Sequence, residues 1–309
     1  MRLNTAHFAT LVVIAANSVG GCGKRSTAPN GPAASASAAE AANVPAPIPE
    51  ETIRAVVNPG KEPVYSGPIG ALEGTIRVEG DPAPDQPEST AKIGRDCLAA
   101  SAVYGKLFRE GNDRALADVM VAVTGYRGFV PARAPERLVE ARRCAWDSRT
   151  IALTFGQRID VKSRDGRPYL PELLGAGMAS QMVAIPGSNA VHLYPPKPGR
   201  YVLTDTLHPF INADVLVVKF PTFAVTGLDG KYRIDGIPAG PVKVSAFLPA
   251  TLGTTEKEVT IVSAATARVD LVISFDRAKY DAARAGAPPP PPSAPSGAAP
   301  PATLPAAPR

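Results

Sequence analysis

Short runs in which apolar and polar residues alternate recur from residue 68 to residue 285, with Gly, Pro, Asn or Asp between them. Period-two alternation puts every second side chain on one face, as a half-buried strand requires. It predicts strands over 74–78, 119–123, 138–144, 151–155, 158–161, 190–194, 199–204, 213–219, 223–226, 231–234, 240–248, 256–261 and 267–273. The spacing is that of sandwiches, not of alternating strands and helices, and the strands exceed what one small sandwich holds. Turn chemistry agrees. Asp229-Gly230 predicts a hairpin of two-residue type, and Asp235-Gly236 and Ala239-Gly240 supply positions tolerant of positive φ. The exception is 95–109, where Ile93, Leu98, Val103 and Leu107 fall at loosely helical spacing and predict one short helix.

Composition narrows the function classes. With 34 Pro and 27 Gly in 309 residues, a helical bundle is excluded. The net charge of +5 comes from 33 basic residues scattered among 28 acidic ones, with no run that interleaves basics and aromatics, so nucleic acid is not an expected partner. Three His and three Cys, no Gly-x-Ser-x-Gly and no Gly-rich phosphate loop before a helix leave little for catalysis. No enzymatic activity and no cofactor is expected. Arg133, Arg137, Arg142, Arg143 and Arg149, offset by Glu136, Glu140 and Asp147, read as a solvated face, with anionic lipid or polysaccharide contact as the sharper option. Trp146, Tyr194 and Phe210 are the aromatics that, if exposed, would stack on sugars; the other reading places them in the core.

The ends have a different character. Arg2 followed by the apolar run FATLVVIAA, at 8–16, reads as an export signal over 1–21, and the run is too short to span a membrane. The following Val19-Gly20-Gly21-Cys22 resembles the lipobox of bacterial lipoproteins. That resemblance implies lipidation of Cys22 and a membrane partner in the cell envelope; an ordinary secretory signal with a chance Cys is the alternative. Gly at position 23, where Asp would retain such a protein at the inner membrane, points to the outer one. Residues 22–67 read as a disordered Ala/Pro/Ser tether, and 276–309, with ten prolines from Gly286 onward, as a disordered tail.

Residues 223–249 read FAVTGLDGKYRIDGIPAGPVKVSAFLP. Thr226, Gly230, Tyr232, Ile234, Gly236, Ile237, Pro238 and Gly240 resemble the pattern of the carboxypeptidase regulatory-like, or starch-binding-like, β-sandwich, and 74–78 resembles its first strand. Upstream, Cys144, Phe155-Gly156-Gln157, Ile159, Val161, Asp165, Pro198-Gly199, Tyr201 and His208-Pro209 resemble a cupredoxin-like frame. The expected organisation is therefore two packed antiparallel β-sandwiches. Residues 68–220 form the cupredoxin-like one, 221–275 the regulatory-like one, and pairing of 68–80 with the second is left open.

The cupredoxin resemblance implies a copper site of two His, a Cys and an axial Met. Aligned on Asp165 and Pro198-Gly199, those positions hold Tyr169, Asp205, His208 and Ile211, so one ligand of four survives and no metal is expected. His192 lies in an alternating strand and reads as structural. With Cys22 lipidated, Cys97 and Cys144 form an even pair in an oxidising compartment, the arithmetic of one disulfide, with a reactive Cys as the other reading. The expected function is a non-enzymatic envelope lipoprotein whose sandwiches bind or build, with cell-wall or polysaccharide contact open. A carbohydrate-binding module and a metal-binding or electron-transfer protein using His208 are the alternatives.

Overall fold

The computed structural model describes residues 47–177 and 182–285. The signal segment 1–21, Cys22 and residues 286–309 lie outside the described residues. Sixteen strands follow in chain order: β1 (Ile69–Gly80), β2 (Met120–Thr124), β3 (Glu136–Arg142), β4 (Ala145–Trp146), β5 (Thr150–Thr154), β6 (Arg158–Ser163), β7 (Pro171–Leu174) and β8 (Val191–Leu193), then β9 (Gly199–Asp205), β10 (Asn212–Val218), β11 (Phe223–Val225), β12 (Lys231–Pro238), β13 (Gly240–Leu248), β14 (Gly253–Ile261), β15 (Thr266–Arg268) and β16 (Leu271–Phe275). The predicted helix at 95–109 is a 3-10 helix, Arg95–Ala100, and one α-turn, Ser101–Tyr104. No helix of the described residues is long and apolar enough to cross a membrane.

The strands make four sheets of four, which face each other in pairs across two apolar clusters. In the first sandwich, the sheet β5-β10-β9-β7 opposes β4-β3-β6-β8. Ile151, Leu153, Leu203 and Val215 from one sheet meet Val139, Ile159, Val161 and Val191 from the other. Each such side chain contributes about 1.5–3 kcal/mol on burial, which is why alternation alone carries the strand signal. In the second sandwich, β12, β15 and β16 all pair with β1, and this sheet opposes β11-β2-β13-β14. Leu72, Ile76, Ile237 and Ile273 there face Val121, Val123, Val244 and Leu248.

The all-β expectation is met, with differences in pairing. Four pairings run parallel: β1 with β15, β1 with β16, β10 with β5, and β3 with β6. Strand β1 pairs into the second sandwich, the option left open for 68–80, and β2 pairs there as well although it falls within 68–220. Asp229-Gly230 does not close a hairpin, because β11 pairs with β2 and β12 pairs with β1 in the opposite sheet. Thr226 decides this. Its Oγ1 donates to Leu116 O at 2.7 Å and accepts from Val119 N–H at 3.1 Å, which holds the end of β11 against one sheet. Gly230, at φ +66°, then turns the chain toward the other sheet, and a Cβ there would lie 2.5 Å from Ile76 O.

Parts of both segments predicted to be disordered are ordered. Residues Glu50–Val57 form a helix whose Ile53, Val56 and Val57 pack against the first cluster, and Tyr65 N–H donates to Phe129 O at 2.8 Å. Arg277–Ala285 is likewise helical, with Tyr280 against the second cluster. Three apolar side chains at helical spacing in the first helix, and Tyr280 in the second, find a sandwich to lie on, a gain that composition does not reveal.

Candidate functional site

Asp205 ends β9 and is fully buried. A buried carboxylate needs its lone pairs filled, and the turn after β9 and the residue before β7 fill them. Oδ1 accepts the N–H groups of Leu170 at 2.8 Å and Leu207 at 3.1 Å, and Oδ2 pairs with His208 Nδ1 at 2.7 Å. His208 N–H donates to Asp205 O, and Ile211 N–H donates to His208 O, which closes 205–211 on itself. Pro209 adds rigidity, and Ile211 is fully buried at the start of β10.

Tyr169 faces this turn, its ring centroid 5.7 Å from that of His208. Its hydroxyl accepts Cys144 N–H at 3.2 Å and donates to Asp165 at 3.0 Å. Burial pushes the phenol up to about 12, with the Cys144 N–H opposing and the Asp165 carboxylate adding. Tyr169, Asp205, His208 and Ile211 are thus brought together, but a blue copper ion does not fit them. The set holds one imidazole, a phenol that keeps its proton, a carboxylate already bonded through both oxygens and an aliphatic side chain.

Against the same turn lies a disulfide. Cys97 and Cys144 are joined at S–S 2.01 Å with Cα atoms 5.5 Å apart, linking the helix Arg95–Ala100 to the turn between β3 and β4. That turn is made by Arg143 and Cys144, both left-handed at φ +53° and +58°. A two-residue hairpin demands this conformation and usually recruits Asn-Gly for it. Here Asp165 accepts Arg143 N–H at 2.6 Å and Tyr169 accepts Cys144 N–H, so neighbouring side chains enforce what the sequence does not favour. Arg167 reaches across to the Asp96 carboxylate and donates to Asp96 O at 2.9 Å, which fastens the segment that carries Cys97.

The ligand atoms of Cys97, Cys144 and His208 all lie within 4.8 Å of one another. In the sequence nothing links the cysteines to His208, because His208 lies 64 positions after Cys144 and no motif spans the gap.

Other candidates are placed elsewhere or filled in. Trp146 and Phe210 do not offer a sugar platform. Trp146 is 2% exposed with Nε1 donating to Leu203 O at 3.3 Å, and Phe210 is 6% exposed, edge-on to Tyr104 and His208. Tyr194 is half-buried beyond β8 and stands apart from them in the sequence of elements. His192 on β8 sits opposite Asp160 on β6, Nδ1 to Oδ1 at 2.7 Å, a cross-strand pair. The arginines do not form one face. Arg133 donates to Asp235 O in the second sandwich, Arg142 pairs with Glu140, and Arg149 donates to Lys106 O at 2.9 Å. A cavity of about 960 Å³ lies between the helix Glu50–Val57 and the sandwich, lined in part by Ile53, Phe129, Val130 and Phe155, and none of the candidate site residues borders it.

No protein-family model and no curated protein sequence matches the chain. Among solved structures, the amicyanin of Paracoccus versutus is similar at 19% identity over 28% of this chain and 84% of that chain, with a TM-score of 0.24. A mutant amicyanin in its reduced state is similar at 16% identity over 31% of this chain and 98% of that chain, also with a TM-score of 0.24. Likenesses at that score decide nothing about topology, and the β-sandwich architecture rests on the strand pairings above.

Proposed function

We propose that the protein is a non-enzymatic cell-envelope lipoprotein, held by a lipid on Cys22, in which a cupredoxin-like sandwich stripped of its copper ligands and a regulatory-like sandwich serve as a binding or structural module. One observation carries the reading. The turn 205–211, which would hold copper in the related frame, is closed around a fully buried Asp205 by its own hydrogen bonds and by one from Leu170 N–H. A turn so satisfied supports the architecture of the domain and leaves His208 Nε2 as its single side-chain donor, too few for a blue copper ion.

Two measurements test the reading. Fractionation of cells carrying Cys22→Ala is expected to move the protein from membranes to the soluble fraction, and an unchanged membrane pellet refutes the anchor. Cu(II) added to the oxidised wild type is expected to give no thiolate–copper absorption, and an intense visible band refutes the loss of the redox site.

A further inference from the structure

We propose that the Cys97–Cys144 disulfide masks a Cu(I) site, formed when that bond is reduced and held by the two sulfurs and His208. It shares only His208 with the four positions that cannot hold blue copper. It is also independent of the lipid anchor, and it concerns the reduced chain, whereas the absence of redox copper concerns the oxidised one.

The donor atoms are already gathered, all within 4.8 Å of one another. His208 is oriented for the task. Its Nδ1 is tied to Asp205 at 2.7 Å, which leaves Nε2 as the nitrogen available to a ligand. A carboxylate behind an imidazole is the usual outer support of a metal-bound His, fixing both tautomer and ring plane. Among the described residues the walls offer no fourth donor. The Tyr169 hydroxyl is engaged by Cys144 N–H and Asp165, both Asp205 oxygens are taken, and Phe210 and Ile211 are apolar. Two thiolates and one imidazole satisfy a closed-shell, thiophilic monovalent ion, whereas Zn(II) seeks four ligands.

The chemistry balances with a dithiol as reductant. Its two thiols become one disulfide as the Cys97–Cys144 bond breaks, and each released sulfur takes one proton. Cu(I) then displaces both protons to solvent. The sulfurs must separate to bind, and Cys97 is placed to allow it. It lies in the surface 3-10 helix Arg95–Ala100 between exposed Asp96 and Leu98, outside every sheet, so it can shift without breaking a ladder. The His208 side chain, 20% exposed, marks the point of entry.

The test is an anaerobic titration of the full chain with Cu(I) against bicinchoninate, before and after reduction by a phosphine that is then removed. The reduced wild type is expected to withhold one Cu(I) per chain and the oxidised wild type none. The double variant Cys97→Ser, Cys144→Ser keeps Cys22 and is expected to withhold none, and His208→Gln keeps both thiols and is expected to bind roughly tenfold or more weakly. The proposal is overturned if the reduced wild type withholds no more than the double variant, or if His208→Gln binds as tightly as wild type. Loss of the native far-UV dichroism on reduction overturns it as well, because the site needs the folded turn after β9.

Discussion

Tyr169 shows what one side chain can decide. Its hydroxyl joins the left-handed Cys144 N–H to the Asp165 carboxylate. Tyr169→Phe keeps the ring and removes the bridge, so it is expected to cost about 1–3 kcal/mol, the usual penalty for stranding buried polar groups. Urea unfolding of the two proteins measures it. Asp160 makes a different residue-scale argument. Burial alone would raise its carboxyl, but hydrogen bonds from Arg158 and His192 outweigh that and hold it below the ordinary carboxylate range. A depressed folded value contributes stability that is full above the unfolded pKa, near 3.9, and is lost as pH falls through the folded one. Acidification below about pH 4 is therefore expected to remove this contribution. In Asp160→Asn, unfolding free energies measured across that window should show a flatter slope than in wild type.

At the scale of elements, the segment 95–104 has few ways to stay in place. It is a 3-10 helix and a single α-turn that joins no sheet ladder, Cys97, Ala100 and Tyr104 are its inward side chains, and Tyr104 accepts Trp146 N–H of β4 at 3.2 Å. The disulfide to the β3–β4 turn closes a sequence separation of 47 residues. On the chain-entropy estimate, opening it in the double Cys→Ser variant costs about 4 kcal/mol. The expected result is a lower urea midpoint, together with faster amide exchange confined at first to 95–104 and 143–144. Equal exchange throughout the chain would show that the bond does not act as the local fastener.

For the molecule as a whole, the joint between sandwiches centres on Asp118, buried and left-handed at φ +63° just before β2. Its carboxylate is gripped by Arg109 and accepts Arg149 N–H at 2.9 Å. Its carbonyl accepts Thr150 Oγ1 at 2.7 Å, and its N–H donates to Thr226 O at 3.0 Å. One residue thus ties β5 of the first sandwich to the end of β11 in the second. Asp118→Ala leaves Arg109 half-buried without its partner, a change that typically costs about 3–5 kcal/mol. Calorimetry is expected to show one transition for wild type and an earlier or split one for the variant; a single unshifted transition would mean the sandwiches are coupled elsewhere.

By itself the sequence determined the all-β class, most strand positions and the turn glycines, because period-two alternation and side-chain chemistry are local properties. The brief strands β4 and β7 escaped it, since two and four residues are too few to show a period. Only the tertiary structure decided which strands pair. The Asp229-Gly230 signal is the same in a hairpin and in a sheet-to-sheet crossing, and the distant Thr226 bonds to Leu116 and Val119 choose between them. Tertiary packing also turned parts of the expected tether and tail into helices and set His208 against the disulfide. Those juxtapositions depend on chain segments tens of residues apart meeting in space, and no local pattern records such a meeting.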